Sequence, residues 1–384
     1  MKIGILTQPL VNNYGGLLQN YALQRTLIRL GHVPITIDQK SRELPSWYVF
    51  LGSVKGKLLY RLSPTNHKKP KYTLSETEKE IIETNTRHFI EHSINRTKKC
   101  VGSKDFRQEV LKRGIEALVV GSDQCWRPLY NEYIEDMFFQ FAKELPIKKR
   151  VAYAASFGTD HWEFSGELTA QCSELAHMFD LVTVREASGV ELCKNYLDIE
   201  AKHVLDPTML LKKEDYECLI KEYDITESEG DLFNYILDPT LQKATFIKKI
   251  ANGLDLTPFQ VLPIYNEDHR TRKHVKQDID KCVYPSPVKW VRAFIDAKMT
   301  VVDSFHGMVF SIIFNKPFWV IGNAERGMSR FTSLLDMFGL SDRLIDEREL
   351  NEIDYTKPID WEKVNDIWAE KRKESLMYLI DALK

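Results

Sequence analysis

Short apolar runs that each end in a polar loop recur along this chain, with helical segments between them. The first run covers residues 2–6, and a Gly-bearing loop, a helical segment and a second run at residues 34–38 follow it. Further runs occupy residues 117–120, 150–155, 181–184, 232–237, 260–264, 300–302 and 318–321. Strands that alternate with helices are typical of α/β domains. We therefore predict an α/β fold built on doubly wound parallel sheets.

The length of the chain indicates more than one domain, because 384 residues correspond to about two or three domains of ordinary size. We interpret Asp206-Pro207-Thr208 as a linker between two α/β units. Residues 1–208 would form the first domain and residues 209–345 the second. Residues 346–384 would form a C-terminal helical segment, since its last part has amphipathic spacing.

Charge and cysteine content narrow the classes of protein that remain. A formal net charge of −2 gives no basic footprint, so no nucleic-acid partner is expected. The six cysteines lie far apart without a C-x-x-C pair, which fits a reducing compartment. The chain has neither a signal-peptide pattern at its start nor an apolar run of about 18 residues. These observations predict a cytoplasmic protein.

One segment, residues 46–71, differs from the rest in composition. It carries six Lys or Arg residues without an Asp or Glu, and aromatic and aliphatic side chains alternate with them. A basic amphipathic stretch can lie on an anionic membrane surface, which would place the protein on the cytoplasmic face of the membrane. The alternative is a solvated insertion that covers the cleft.

The sequence contains one pattern that resembles a metal motif, His88-x-x-Glu91-His92. Both histidines would share one face of a helix, as a zinc site requires. They also stand at the end of that helix, where imidazolium groups interact favourably with the helix dipole. We prefer the helix-terminal interpretation and predict no metal and no cofactor.

Four loops at the carboxyl ends of predicted strands hold the unusual polar content of the chain. In an open α/β sheet, this edge is where ligands bind. The loops are residues 12–19 with two adjacent glycines, residues 121–128 with an acid, an amide, an indole and a guanidinium, Arg185-Glu186, and residues 301–307 with a histidine at a predicted helix start. Glycines at a helix N-terminus allow backbone amides to approach an anion.

Taken in order, these motifs resemble the polysaccharide pyruvyl transferase family over about residues 3–340. The stretches that carry the resemblance are Gly4-Ile5-Leu6, Asn13-Tyr14-Gly15-Gly16, Gln19 with Tyr21-Ala22-Leu23, Val119-Val120-Gly121-Ser122-Asp123-Gln124 with Trp126, Tyr153-Ala154-Ala155-Ser156-Phe157-Gly158, Val184-Arg185-Glu186, Leu205-Asp206-Pro207-Thr208, Ser304-Phe305-His306-Gly307, Asn315-Lys316-Pro317 and Ser329-Arg330-Phe331. The set is far more specific than any one of its motifs.

The resemblance implies two Rossmann-like domains that face a cleft, as in B-type glycosyltransferases, with the acceptor on the first domain and the donor on the second. It also implies transfer of pyruvate from phosphoenolpyruvate to two hydroxyls of a sugar or lipid-linked oligosaccharide as a ketal, with release of phosphate. We assign catalysis to His306 and Asp123. Donor-binding residues would be Arg185, Ser304, Phe305, Gly307 and Arg330. Acceptor-binding residues would be Asn13, Tyr14, Gly15, Gly16, Gln19, Ser122, Gln124, Trp126 and Arg127.

One position departs from the family pattern. Many members carry an arginine two residues before the histidine, whereas this chain has Ser304. Arg330, Arg326 or Arg185 would then supply the charge that a donor with a carboxylate and a phosphate needs. Two alternatives stay open: a B-type glycosyltransferase that grips a nucleotide sugar through an acid such as Glu325, and a non-catalytic glycan-binding protein.

Overall fold

The computed structural model describes residues 1–40, 72–267, 270–322 and 327–384. The basic segment at residues 46–71, and with it the predicted membrane contact, lies outside the described residues. Glu325 and Arg326 also lie outside them. Among the described helices, none combines the length and the apolar character needed to cross a membrane.

The first half of the chain forms a six-stranded parallel sheet. Its strands are β1 (Lys2–Leu6), β2 (Val33–Thr36), β3 (Ala117–Val120), β4 (Lys149–Ala155), β5 (Leu181–Val184) and β6 (Lys202–His203). Their order is β2-β1-β3-β4-β5-β6, and neighbouring strands pair in parallel. The apolar runs predict the first five of these strands because a parallel sheet covered by helices is buried on both faces. The two-residue strand β6 has no apolar run and was not predicted.

The second half forms a five-stranded parallel sheet. Its strands are β7 (Leu232–Tyr235), β8 (Pro258–Phe259), β9 (Met299–Val302), β10 (Phe318–Ile321) and β11 (Leu344–Ile345), in the order β11-β10-β9-β7-β8. The prediction of a strand at residues 260–264 is wrong, because the strand of this region is β8. Pairing with β7 ends at Phe259, whose carbonyl accepts a hydrogen bond from Nδ2 of Asn234 at 2.7 Å. The two parallel-sheet domains expected from the pattern are confirmed.

Helices cover both sheets. Their bounds are α1 Tyr14–Arg29, α2 Glu76–Ile82, α3 Thr84–Ser93, α4 Gly102–Arg113, α5 Gly166–Ala176, α6 Ala187–Leu192, α7 Lys213–Glu222, α8 Leu241–Leu254, α9 Arg272–Gln277, α10 Pro287–Asp296, α11 Phe305–Ile313, α12 Ser329–Phe338 and α13 Trp361–Ala382. Two of them begin earlier than their apolar spacing predicts. Asn13 caps α1 and Ser304 caps α11, and each side chain accepts a hydrogen bond from the amide three residues later.

The residues that we interpreted as a linker are buried. Asp206 and Thr208 have no exposed surface, and Pro207–Leu210 form a 3₁₀ turn. Helix α13 covers this turn: Nε1 of Trp368 donates to the Met209 carbonyl at 2.9 Å, and Nε of Arg372 donates to the Leu210 carbonyl at 2.7 Å. The turn between the two sheets is therefore a packed element.

Helix α13 and an aromatic cluster join the two domains. Leu379 of α13 packs in the core of the first sheet, whereas Val364 of the same helix packs in a core cluster of the second. Tyr14 of the first domain contacts Tyr235 and Trp290 of the second, with ring centroids 6.3 and 6.0 Å apart. This packing brings the carboxyl ends of β1 and β9 to a shared cleft.

Candidate active site between the two domains

The N-termini of α1 and α11 meet at the cleft. An added Cβ on Gly15, near the start of α1, would lie 2.0 Å from Nδ1 of His306 near the start of α11. Real side-chain atoms do not approach this closely, so a glycine is required at position 15 for His306 to keep its place. The paired glycines and the histidine that the sequence singled out are thus direct neighbours.

A cavity of about 430 Å³ opens beside this contact. We call it the cleft cavity. Its lining residues are Asn13, Gly15, Asp123, Gln124, Tyr130, Tyr235, Leu237, Trp290, Asp303, Ser304, Phe305, His306, Arg330 and Phe331. Its size is in the range of small-molecule sites, which are typically about 300–1,000 Å³. Polar groups come from both domains, so the cavity exists only where the domains meet.

A buried ionic network lies behind the cleft cavity. Nη1 of Arg185 donates to Oδ2 of Asp206 at 3.1 Å, and Nη2 donates to Oδ1 of Asp123 at 3.3 Å. Oγ of Ser122 donates to the same Oδ2 of Asp206 at 3.0 Å. Nε2 of His306 lies 3.6 Å from that oxygen, which is an ion-pair distance rather than a hydrogen bond. One carboxylate of the first domain therefore connects its own arginine with the histidine of the second.

The charges around the two carboxylates keep both ionised. Burial raises the pKa of Asp206, but His306, Arg185 and the Thr208 amide outweigh burial and hold the pKa well below its usual range. Burial also raises the pKa of Asp123, and Arg185, His306 and Arg330 reverse that shift and lower it. Two ionised carboxylates thus face the histidine across the domain boundary.

Arg330 is the guanidinium at the wall of the cleft cavity. Burial and the charge of Arg185 lower its pKa to about 10, so it stays cationic at neutral pH. Arg185 lies behind it with a side chain that has no exposed surface. The ring of Phe305 stands between them, with its centroid 4.4 Å from Cζ of Arg185 and 6.0 Å from Cζ of Arg330. The structure places Arg330, and not Arg185, where a ligand would touch it.

Ser304 lines the cleft cavity but its hydroxyl has a structural role. Its Oγ accepts a hydrogen bond from the Gly307 amide at 3.0 Å, which caps α11. The preceding Asp303 is buried, accepts from the Leu237 and Asp238 amides, and pairs with Nζ of Lys243 at 2.9 Å. These contacts fix the loop that carries His306. Ser304 and Gly307 supply no charge that could bind an anionic donor.

Among the residues assigned to the acceptor, Asn13, Gly15 and Gln124 line the cleft cavity. Nδ2 of Asn13 donates to Oδ2 of Asp123 at 3.3 Å. Gly16 donates its amide to Oδ1 of Asn13, and Nε2 of Gln19 donates to Thr7 and to the Gly16 carbonyl. Gly16 and Gln19 therefore stabilise the start of α1 and do not line the cleft cavity.

The structure places other predicted acceptor residues away from the cleft cavity. Trp126 is fully buried, stacks on Phe138 and donates Nε1 to the Met137 carbonyl. Tyr14 is also buried, within the aromatic cluster between the domains. Arg127 forms a two-pronged ion pair with Glu163 and donates to Oε1 of Gln124. Burial and internal partners thus remove these side chains, and Ser122 with them, from direct ligand contact.

Sequence reasoning missed Asp206 as a site residue. The Asp-Pro-Thr triplet is typical of a turn, and its burial depends on α13, which is distant in sequence. The signal available was that Leu205-Asp206-Pro207-Thr208 belongs to the set of resemblance motifs. Tyr130, Tyr235 and Trp290 of the cavity wall were missed because no motif marks them.

No group of three or more His, Cys, Asp or Glu side chains suited to a metal occurs within residues 1–40, 72–267, 270–322 and 327–384. His88 and His92 stack with centroids 4.0 Å apart at the end of α3, and Nδ1 of His92 contacts the His88 carbonyl at 2.8 Å. This geometry fits the helix-terminal interpretation of the pair.

The two parallel-sheet domains thus place a histidine, two carboxylates and a guanidinium around one cavity, and these are groups that a transferase can use. The chain belongs to the polysaccharide pyruvyl transferase family, whose model matches residues 13–325. The protein is therefore a transferase, as the resemblance implied. No curated protein matches the chain in sequence.

The chain is similar to several solved structures at low sequence identity. UDP-GlcNAc 2-epimerase from Methanocaldococcus jannaschii is 14% identical with a TM-score of 0.47, over 98% of this chain and 100% of that one. UDP-GlcNAc 2-epimerase from Neisseria meningitidis is 12% identical with a TM-score of 0.46, over 100% and 99%. A glycosyltransferase from Rickettsia africae is 10% identical with a TM-score of 0.40, over 99% and 93%.

Proposed function

We propose that this transferase moves the pyruvate carbons of phosphoenolpyruvate onto two hydroxyls of a sugar in a cell-surface glycan or its lipid-linked precursor. The observation that carries the proposal is the contact between His306 and the ionised, buried Asp206, beside the cationic Arg330 in one cavity. A donor with a carboxylate and a phosphate needs such a cation, and ketal formation needs a group that exchanges protons.

The reaction requires two proton movements that these residues would support. A proton is added to the methylene carbon of phosphoenolpyruvate, which leaves C2 electrophilic, and a sugar hydroxyl attacks C2 as it loses its proton. The bond between C2 and the phosphate oxygen then breaks, and the second hydroxyl closes the ketal as it loses its own proton to the departing phosphate. Two protons leave the hydroxyls: one balances the proton added to carbon, and the other stays on the released phosphate. Protons and electrons therefore balance.

His306 is our candidate for the proton-exchanging group. Nε2 faces Asp206, which favours a proton on that nitrogen. Nδ1 faces Gly15, a residue that also lines the cleft cavity. Nδ1 is therefore the nitrogen that would exchange a proton with donor or acceptor. Asp206 would act as a positioning residue, and Asp123 would act as a second carboxylate near the acceptor hydroxyls.

Arg330 is our candidate for the anion-binding group of the donor. It stands in the second domain, at the cavity wall, next to Phe305 and His306. It would compensate for the serine at position 304, where many members carry an arginine. Arg185 would act from behind by holding Asp206 and Asp123 in place. The acceptor would then lie on the side of Asn13, Gly15 and Gln124. The reaction would take place in the cytoplasm.

The test is the fate of phosphoenolpyruvate with purified protein and a panel of aryl or lipid-linked galactosides, mannosides and hexosamines. We expect phosphate release together with a mass gain of one pyruvyl unit on the sugar. His306→Ala should lower kcat by about 10²–10⁴-fold, the usual range for loss of an acid–base group. His177→Ala, at an exposed position at the end of α5, is the matched control and should leave kcat unchanged.

Two results would contradict the proposal. If a nucleotide sugar binds and is consumed while phosphoenolpyruvate is not, the enzyme is a glycosyltransferase. If sugars bind without turnover of either donor, the protein is a glycan-binding member of its family. Arg330→Ala tests the donor site separately from the acceptor site, because it should raise KM for phosphoenolpyruvate more than KM for the sugar.

A further inference from the structure

A second pocket, which we call the outer pocket, opens next to the cleft cavity. It has a volume of about 450 Å³ and lies between the N-terminus of α4 and the turns at Pro128–Tyr130 and Ile134–Phe138. Phe106 and Met137 give it an apolar floor, while Tyr130 and Tyr133 stand at its rim with 52% and 42% of their surface exposed. Two exposed aromatic side chains thus stand together at this pocket.

Tyr130 lines both the outer pocket and the cleft cavity. Its ring is held at this boundary, because Cζ of Arg127 lies 5.2 Å from the ring centroid. Arg127 is in turn fixed by its two hydrogen bonds to Glu163. The two cavities therefore share one anchored ring, and a linear ligand that extended from one cavity into the other would pass this ring.

Several polar side chains line the outer pocket, and Asp136 is the carboxylate at its base next to Met137. It is buried, and both of its carboxylate oxygens lie within 2.8 Å of Oγ of Ser103. A serine hydroxyl has one hydrogen to donate, whereas a carboxylate accepts about four hydrogen bonds. Burial raises the pKa of Asp136 to about 6, because it outweighs the hydrogen bonds from Ser103 and from the Phe141 backbone. This carboxylate would gain from the hydroxyl donors of a ligand.

Aromatic faces beside a hydrogen-bond acceptor match a pyranose ring, which has apolar C–H faces and a rim of hydroxyl donors. We propose that the outer pocket binds the sugar next to the pyruvylated one, so that the acceptor is an oligosaccharide. This inference rests on the proposed function, since it places the reacting sugar in the cleft cavity. It also predicts that a disaccharide binds more tightly than either of its monosaccharides.

The experiment measures binding and needs no turnover. Saturation-transfer NMR on the full chain compares lactose, mannobiose and diacetylchitobiose with the methyl glycosides of their component sugars. We expect at least one disaccharide to bind about tenfold more tightly than its monosaccharides, which is about 1.4 kcal/mol. Tyr133→Ala should bring that ratio close to one, and Asp136→Asn should lower it.

Tyr196→Ala is the matched control. Tyr196 has 44% of its surface exposed and also stacks on an aromatic neighbour, Trp162, but it lines neither cavity. The ratio should therefore survive this substitution. Equal binding of disaccharides and monosaccharides, no binding of any of these sugars, or a ratio that Tyr133→Ala leaves unchanged would each overturn the outer-pocket proposal.

The proposed donor chemistry and the outer pocket are tested by different assays. Phosphate release from phosphoenolpyruvate by the wild-type enzyme tests that chemistry. Disaccharide binding that depends on Tyr133, without phosphate release, would leave the outer pocket standing and overturn the donor. Phosphate release with a mass gain on monosaccharides, without a preference for disaccharides, would do the reverse.

Discussion

Nε2 of His306 lies 3.6 Å from Oδ2 of Asp206, although the two residues belong to different domains. The carboxylate also accepts from Arg185, Ser122 and the Thr208 amide. A group that gains so many partners in the folded state stays ionised and keeps its orientation. The histidine of the second domain is thus oriented by the first.

Asp206→Asn should lower kcat by about 10²-fold and leave KM for phosphoenolpyruvate nearly unchanged, because the histidine loses its orienting charge while Arg330 stays in place. Steady-state kinetics checks this split. Asp381→Asn removes a carboxylate from an exposed ion pair with Lys384 and should change neither constant. A raised KM with a normal kcat in Asp206→Asn would show that the carboxylate serves donor binding instead.

Gly15→Ala should lower kcat at least about tenfold, because its Cβ would lie 2.0 Å from Nδ1 of His306 and must displace the ring. Gly166→Ala is a matched control at the start of α5, where an added Cβ meets nothing within 4 Å. It should leave kcat unchanged and stabilise the helix by up to about 1 kcal/mol. A fully active Gly15→Ala enzyme would contradict the close contact.

Gly327→Ala should destabilise the protein more than Gly31→Ala. Both glycines have a positive φ, 84° and 82°, so both substitutions carry a backbone cost of about 1 kcal/mol. Only at Gly327 would the new Cβ meet the other domain, at 2.1 Å from the carbonyl oxygen of Gly158. Thermal unfolding measures the difference in Tm. Equal Tm values for the two variants would show that this domain contact is not needed.

Asp136→Asn should gain stability relative to wild type as the pH rises from 4 to 8. Burial raises the pKa of Asp136 from 3.8 to about 6, so the folded state holds its proton more tightly than the unfolded state. Wild-type stability from this group is complete below about pH 4 and is lost as the pH rises through 6, by roughly 3 kcal/mol. Urea unfolding across this range measures the difference, and a constant difference would contradict the raised pKa.

The strands could be predicted from the sequence because both faces of a parallel sheet are buried, which leaves uninterrupted apolar runs such as residues 117–120. Strand ends and helix starts placed the loops of Gly15 and His306 at ligand-binding edges, but the direct contact between the two residues could not be predicted, because they belong to different sheets. The role of Asp206 could not be predicted, because its burial depends on a helix far along the chain. Nor could the sequence predict which arginine lines the cavity, because this depends on how the two domains pack around Arg185 and Arg330.

Helix α13 holds the turn that carries Asp206 through Trp368, Arg372 and Ser375, whose Oγ accepts from the Leu205 amide at 3.1 Å. The final helix therefore supports the cleft indirectly, because it holds the turn whose carboxylate faces His306. Because the same helix packs in buried clusters of both domains, shortening the chain from its carboxyl end would disturb the alignment of His306 with Asp206 and the packing between the domains at the same time.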